Sequence, residues 1–438
     1  MARRPRTQRL NVYLNARLVG RLEKAGNGAV SFRYDPDWLD WLDWQGAMPV
    51  SISMPVSTQV YRGAQVINVF ENLLPDAERV RRNVAERLGA DGTDAFSLLA
   101  VTGRDCVGAL QFLPPDDVPG AAGEVNGTAL NEAEIAGLIR QLRINPLGLD
   151  PDDGDFRISI AGAQDKTALL KKDGVWHRPI GTTATTHILK PAIGVIQNDI
   201  DLTDSVQNEY ACLKFCALLG LEVAEAEIVT FEDQMALSVT RFDRIWTQDG
   251  RLLRLPQEDF CQALSVPSTR KYQKDDGPGV LQILERLKES DRANEDRYAF
   301  FKAQVIFWLL GATDGHAKNF SIALQPGGGF WMTKLYDVLS VQPVVDDRRI
   351  GQNRFKLAMS VGDHNRYQVN QIARRHFEQT AAAAGLPKGT LDTVTAELNA
   401  AVLPALDTLG ELAGNTIPEA LINSLAGGVR DRLAILNL

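Results

Sequence analysis

Apolar positions alternate early in the chain and recur at helical spacing later. "LNVYLNARLVGRLEK" alternates around a short polar turn and "GAVSFRYD" continues the pattern, which predicts adjacent strands in the first hundred residues. "AQVINVFENLLPDAERVRRNVAERLG" reads as helical, and "DAFSLLAVTG" and "VGALQFLP" follow it, completing a small α+β unit. Residues 114–128, "PPDDVPGAAGEVNGT", form a turn-rich linker. "NEAEIAGLIRQLR" predicts a short amphipathic helix and "NPLGLDPDDGD" a second loop.

The pattern changes from Phe156. "FRISIAGAQDKTALLKKDGVW" reads as strand, glycine turn, strand and a hairpin with "KDG" at its tip. "THILKP" is a strand stopped by Pro191, which cannot continue a central ladder. "TDSVQNEYACLKFCALLG" is a helix that Thr203 or Asp204 can cap and Gly220 can end. "EIVTF" and "QMALSVTRFDR" are two further strands, and beyond about residue 255 the chain is mostly helical, interrupted by "SIALQPGGGFWMTKLYD". There is no repeat at a fixed period. The expected divisions are 1–112, 113–150, 151–245 and 246–438.

Composition narrows the function classes. The 438 residues are 45% hydrophobic and 23% charged, ordinary values for a globular protein with sizeable cores. Lys plus Arg number 47 against 55 Asp plus Glu, a net −8 that argues against a non-specific nucleic-acid binder. The basic start "MARRPRTQR" is expected to be a solvated arm. Cys212 and Cys216 stand i,i+4 on one helix, and neither they nor Cys106 and Cys261 make a C-x-x-C pair. Reduced core thiols in a cytoplasmic protein are expected, not a zinc site. With no signal-peptide pattern and no 18-residue apolar run, a soluble intracellular protein is expected.

The chemistry concentrates in "GATDGHAKNF", residues 311–320, directly after the apolar "AFFKAQVIFWLLGA". Asp314 and Asn319 have the D-x-x-x-x-N spacing of a protein-kinase catalytic loop, although a polar turn after a buried helix has the same composition. Two strands joined by a glycine-rich turn are predicted next, the second ending at Asp337. A hairpin returns the chain to its origin, so Asp337 can lie beside Asn319 and the two offer hard oxygen donors to Mg²⁺. Upstream, Lys190 ends a strand and Glu209 sits in the following helix, the order of a phosphate-aiming Lys–Glu pair; singly, each reads as a solvated residue. "SIAGAQDKT" has the small residues of a phosphate-cradling turn but matches neither common glycine-rich motif. Together these parts predict an ATP-dependent phosphotransferase with a two-lobed, kinase-like α+β fold.

The segments "FRISIAGAQDKTALL", "THILKP", "VTRFDR", "LPQEDFCQ", "GATDGHAKNFS", "LYDVLS" and "KLAMS", with "FENLLPD" and "VGAL" before them, resemble the HipA family. Its members are bacterial serine/threonine protein kinases, the toxins of type II toxin–antitoxin modules. The resemblance implies a β-rich N-terminal subdomain added to the two lobes, the second mostly helical. It implies Asp314 as catalytic base and Asn319 and Asp337 as magnesium ligands. Lys190 would contact the phosphates, supported by Glu209, and Ala161, Gly162, Ala163, Gln164, Asp165 and Lys166 would form the phosphate loop. Thr240, Arg241 and Phe242 would form the adenine-binding hinge. His316 would reach the ribose in a nucleotide-binding loop with Ala317 and Lys318, and Tyr336 would pack near the base. Ser159 matches a serine whose autophosphorylation shuts the enzyme off. ATP and Mg²⁺ are the implied cofactors, a helix-turn-helix antitoxin the implied partner, operator DNA an indirect one, and glutamyl-tRNA synthetase the implied substrate.

Two features depart from the expected pattern: Thr240 replaces an acidic residue, and "YDVLS" stands where ordinary kinases carry Phe-Gly after the magnesium aspartate. The basic run "QIARRHF", residues 371–377, would reach operator phosphates or, more simply, is a solvated helix face. The rival readings are a catalytically silent co-repressor and a small-molecule phosphotransferase.

Overall fold

The computed structural model describes residues 7–41, 46–149, 156–196 and 200–438. The first six residues of the basic arm and residues 150–155 of the second predicted loop lie outside the described residues. The N-terminal unit contains β1 (Gln8–Leu14), β2 (Arg17–Lys24), β3 (Val30–Tyr34), α1 (Pro36–Asp40) and β4 (Tyr61–Arg62). It continues with α2 (Ala64–Glu71), α3 (Glu78–Leu88), α4 (Ala95–Thr102), β5 (Asp105–Cys106) and β6 (Leu110–Leu113). Its sheet has the order β4-β3-β2-β1-β6. Alternation along the strands buries Leu10, Val12, Leu22 and Phe32 with Val66, Phe70 and Leu99 of the helices. The single helical run expected over "AQVINVFENLLPDAERVRRNVAERLG" is two helices instead. Pro75 lacks an amide hydrogen and clashes with a preceding helical turn, so the chain leaves the helix at Asn72 and starts another at Glu78.

The second layer is a sheet of order β14-β15-β11-β9-β10-β7. Its strands are β7 (Gly127–Ala129), β9 (Thr167–Lys172), β10 (Val175–Pro179), β11 (His187–Pro191), β14 (Ala226–Phe231) and β15 (Gln234–Thr240), all antiparallel to their neighbours. Helix α5 (Glu132–Gln141) opens with a capping box at Asn131. Helix α6 (Ser205–Leu218) follows the small β12 (Gly194–Ile196) and β13 (Ile200–Leu202) pair, and left-handed Gly220 lies just beyond its end. The glycine turn after Phe156 is not a hairpin turn. The strand before it, β8 (Ile158–Ser159), runs parallel to β5 of the N-terminal unit and does not pair with β9. Phe156, Ile158 and Ile160 are all buried in the same apolar cluster as Leu10 and Phe70, and that burial draws the strand away from its sequence neighbour.

The remainder begins with β16 (Arg244–Trp246), β17 (Leu252–Arg254), β18 (Gln257–Asp259), α7 (Phe260–Ala263) and α8 (Val280–Arg286). The long α9 (Ala293–Leu310) is buried from Phe300 to Leu310 on every face, as befits the centre of a helical lobe. Gly311 ends it at φ 64°, where a Cβ would lie 2.6 Å from Phe355. Strands β19 (Ser321–Leu324) and β20 (Phe330–Met332) form the expected hairpin, joined by β18. The second strand ends at Met332, not at Asp337. Residues 333–337 continue without a ladder, held where the Leu335 amide donates to Glu222 and the Leu335 carbonyl accepts from Ala224. Helices α10 (Gln342–Asp346), α11 (Arg374–Ala383), α12 (Thr390–Gly410) and α13 (Glu419–Leu436) and the β21 (Lys356–Val361) and β22 (Arg366–Gln368) pair complete the lobe. All four cysteines are free and buried. Among the described residues no helix is long and apolar enough to cross a membrane.

Candidate active site

A cleft of 430 Å³ lies between the second sheet and the helical lobe. Lys190 reaches it because β11 alternates: Leu189 points into the apolar core and Lys190 to the other face. The Lys190 ammonium donates to Glu209 Oε1 at 2.7 Å and to Asp337 Oδ1 at 2.8 Å. Burial alone would push the ammonium toward neutrality, but Asp337 and Glu209 outweigh it and raise its pKa above the usual lysine range. Burial raises Glu209 as well, only partly offset by Lys190. For Asp337 burial is overcome by Lys190 and Lys166, which hold its carboxyl below the ordinary range. Asp337 adopts φ 59°, a left-handed conformation that aspartate tolerates better than most residues.

Asn319 ties the two aspartates together, its Nδ2 donating to the Asp314 carbonyl at 2.7 Å and the Asp337 carbonyl at 3.5 Å. Asp314 stands at the rim of the cleft with its side chain 56% exposed. Desolvation by the cleft walls and the nearby Asp337 push its pKa up to about 6, a shift that the open side screens in part. The Tyr272 phenol donates to Asp314 Oδ1, and its ring meets His316 edge-on at 5.0 Å. His316 is buried with its Nδ1 unpartnered; burial first, then Lys271, lowers its pKa to about 3, so the ring is neutral. Tyr336 packs 5.9 Å from Phe242 and donates to the Lys318 carbonyl at 2.8 Å.

The phosphate-loop candidates curl at the other wall. Lys166 donates to the Ala161 carbonyl at 2.9 Å, closing the turn, and Gln164 donates to the Pro191 carbonyl at 2.9 Å. Gly162 has φ 108°, and a Cβ there would lie 2.4 Å from the Lys166 ammonium. The positive φ calls for glycine, whereas the Lys166 side chain could move aside. Burial and the Lys190 charge lower Lys166 to about 8.

Most of the residues singled out by sequence share this cleft, with four exceptions: Asp165, Ala317, Glu209 and Ser159 do not line it. Glu209 stands behind Lys190, and Ser159 is buried with its hydroxyl donating to the Leu73 carbonyl at 2.9 Å, inside the N-terminal unit. Two others face the cleft but spend their charged ends elsewhere. Lys318 donates to Asn72 O, Asn72 Oδ1 and Asp259 Oδ2 at 2.8–2.9 Å, which uses all three ammonium hydrogens. The Arg241 guanidinium is buried against Asp105, Asp243 and the Cys106 carbonyl. Arg374, in the basic run "QIARRHF", is paired with Glu378 and Asp392.

Sequence reasoning missed Asp76, Lys271 and Tyr272. Lys271 bridges to Asp76 at 2.7 Å beside the aspartate rim. "STRKYQKDDGPG" signals a loop, and nothing in it says which wall that loop meets.

Known proteins resemble this chain along nearly its whole length. The HipA N-terminal domain model matches residues 10–113 and the HipA-like C-terminal domain model matches residues 158–406. The chain is 33% identical over 98% of its length to the Sinorhizobium fredii protein named "Putative kinase Y4mE", covering 98% of that protein. It is 26% identical to the Shewanella oneidensis protein named "Serine/threonine-protein kinase toxin HipA", covering 88% of this chain and 86% of that one. Its fold matches a chain of the solved Shewanella oneidensis complex of HipA, HipB and operator DNA with a TM-score of 0.79, at 23% identity over 98% of both chains. This chain therefore belongs to the HipA family, with both the N-terminal and the C-terminal parts of that family present along it.

Proposed function

We infer that the protein is an ATP-dependent serine/threonine protein kinase and the toxin of a toxin–antitoxin module. The observation that carries this reading is Lys190 seated between Glu209 and Asp337, with Asn319 tying Asp337 to Asp314. The Lys190 ammonium, held by Glu209 from behind, presents charge to phosphate oxygens in the cleft. Asp314, half exposed at the rim, accepts the proton of a substrate hydroxyl that approaches from solvent. The phosphate loop from Ala161 to Lys166 offers backbone amides. In the hinge from Thr240 to Phe242 the Thr240 and Arg241 amides already donate to the Glu225 and Thr186 carbonyls, so adenine would use the remaining backbone groups there, with Tyr336 beside it. Asp337 and Asn319 suit Mg²⁺: Asp337 is held ionised, and the Asn319 amide nitrogen is occupied by two carbonyls, which leaves its oxygen for a cation. Bound there, the ion would neutralise charge on the transferring phosphoryl group.

Ser159 is the proposed autophosphorylation site. Its burial under Leu73 means that the loop must leave its seat first, and a phosphate of about −1.5 to −2 charge would prevent its return. A helix-turn-helix antitoxin related to HipB is the proposed partner, with operator DNA bound mainly through it, in the cytoplasm. A translation component such as glutamyl-tRNA synthetase is the proposed substrate. Incubation with γ-labelled ATP, magnesium and purified synthetase tests the reading: label on the synthetase and on Ser159 is expected. No label on any protein would leave a silent co-repressor, and label on aminoglycosides or sugars alone would indicate a small-molecule enzyme.

A further inference from the structure

The motif "FENLLPD" does more than separate two helices. In the structure its second half lies across the nucleotide cleft's most delicate parts. Leu73 accepts the buried Ser159 hydroxyl at 2.9 Å. Pro75 forms a parallel bridge with Gly162, and the Asp76 amide donates to the Gly162 carbonyl at 3.2 Å. Asn72 takes the Lys318 ammonium on both its carbonyl and its side-chain oxygen, each at 2.9 Å. The Asp76 carboxylate holds Lys271 at 2.7 Å, and Lys271 accepts the Ala317 amide of the catalytic loop. One extended segment of the N-terminal unit thus grips the phosphate loop with its backbone and the catalytic loop through Asn72 directly and through Asp76 by way of Lys271.

A turn of small residues around one glycine has little reason to keep one shape by itself. Gly162 is free to adopt many conformations, and β8 before it has no partner in the second sheet. Its nucleotide-facing shape therefore depends on what it is paired to: Lys166 and Gln164 fasten its far side, and the Asn72–Asp76 segment pairs with Gly162 itself. We propose that this segment is the template of the phosphate loop, with Ser159 and Asp76 as positioning residues, so that nucleotide affinity is set by the docking of the N-terminal unit. The proposal rests on the reading of the cleft as a nucleotide site. It also gives the buried Ser159 hydroxyl a part in the unmodified protein: it fastens the loop to its template.

The test uses the full chain with ADP as the probe, so that no phosphoryl transfer occurs. Ser159→Ala and Asp76→Ala are compared with the parent protein by ADP titration, by tryptic cleavage after the buried Lys166, and by thermal melting. Each variant is expected to bind ADP about fivefold more weakly and to be cut correspondingly faster, the effect of one lost buried hydrogen bond or ion pair. Melting temperatures should stay within about 2 °C of the parent. Unchanged affinity and cleavage in both variants would overturn the template while leaving the kinase reading intact. A fall in melting temperature that accounts for the faster cleavage would also overturn it, because the segment would then be ordinary packing. Failure of the parent protein itself to bind ADP would remove the nucleotide reading and the template together.

Discussion

Two of the buried ionic clusters among the described residues differ in what they face. In one, Asp105 receives Arg241, Arg244 and Arg254 together with Thr185, while Asp243 takes Arg241 and Arg244. Each of these side chains is at most 5% exposed, so although Arg241 and Asp243 border the cleft, their charged groups are spent inside the cluster and closed to it. It joins the N-terminal unit, through Asp105, to Arg241 and the residues just after β15. In the other, Lys190, Glu209 and Asp337 are also close-paired, yet Asp337 remains 35% exposed and opens on the cleft. Burial and a displaced pKa are common to both clusters and so do not mark function. Access to a cavity does, because only an open charge can exchange its protein partner for a ligand. The sealed cluster trades desolvation for a fixed geometry, and removing one member leaves the others uncompensated.

The largest expected effect breaks the open side. Asp314→Asn should lower phosphoryl transfer from labelled ATP by about 10²–10⁴-fold while the thermal melt hardly moves. Near-parent transfer in that variant would remove Asp314 from the base role. The converse belongs to the sealed side: Asp105→Ala leaves three guanidinium groups around an empty site and should cost about 3–5 kcal/mol in denaturant unfolding. An unchanged denaturation midpoint would mean that the cluster contributes no stability.

A buried acid outside both clusters sharpens the contrast. Glu258 has one oxygen on the Ile52 amide at 2.8 Å and the other buried without a partner, and burial raises its pKa to about 8 from 4.5. The folded state therefore binds a proton more tightly than the unfolded state, and stability is fully present below about pH 4.5 and falls as pH rises toward 8. Glu258→Gln should flatten that slope and raise stability at pH 9 by about 2–4 kcal/mol, read from unfolding curves across pH. A slope identical to the parent's would assign the titration elsewhere. The smallest effect is expected from Tyr272→Phe, which keeps the ring against His316 and removes the hydroxyl on Asp314. Turnover should fall about tenfold, as for one lost charge-assisted hydrogen bond, with ADP affinity unchanged. Weaker ADP binding would make Tyr272 part of the nucleotide pocket instead.

By itself the sequence determined what local physics encodes. Alternation marked β1 to β3, Pro191 ended β11, Gly220 followed α6, and the apolar run before Gly311 was a central helix. The order of Lys190, Glu209, Asp314, Asn319 and Asp337 was legible as well, because each falls at a recognisable position on or beside such an element. Only the tertiary structure decided where pairing jumps along the chain. The strand at Ile158 left its sequence neighbour for β5, since three apolar residues found more burial there. That choice put Ser159 under Leu73, just as distant carboxylates drew the charged ends of Arg241 and Lys318 away from the cleft. Periodicity and capping act over a few residues and can be read in order. The partner of a buried charge or an unpaired strand edge depends on which surfaces meet when the units pack.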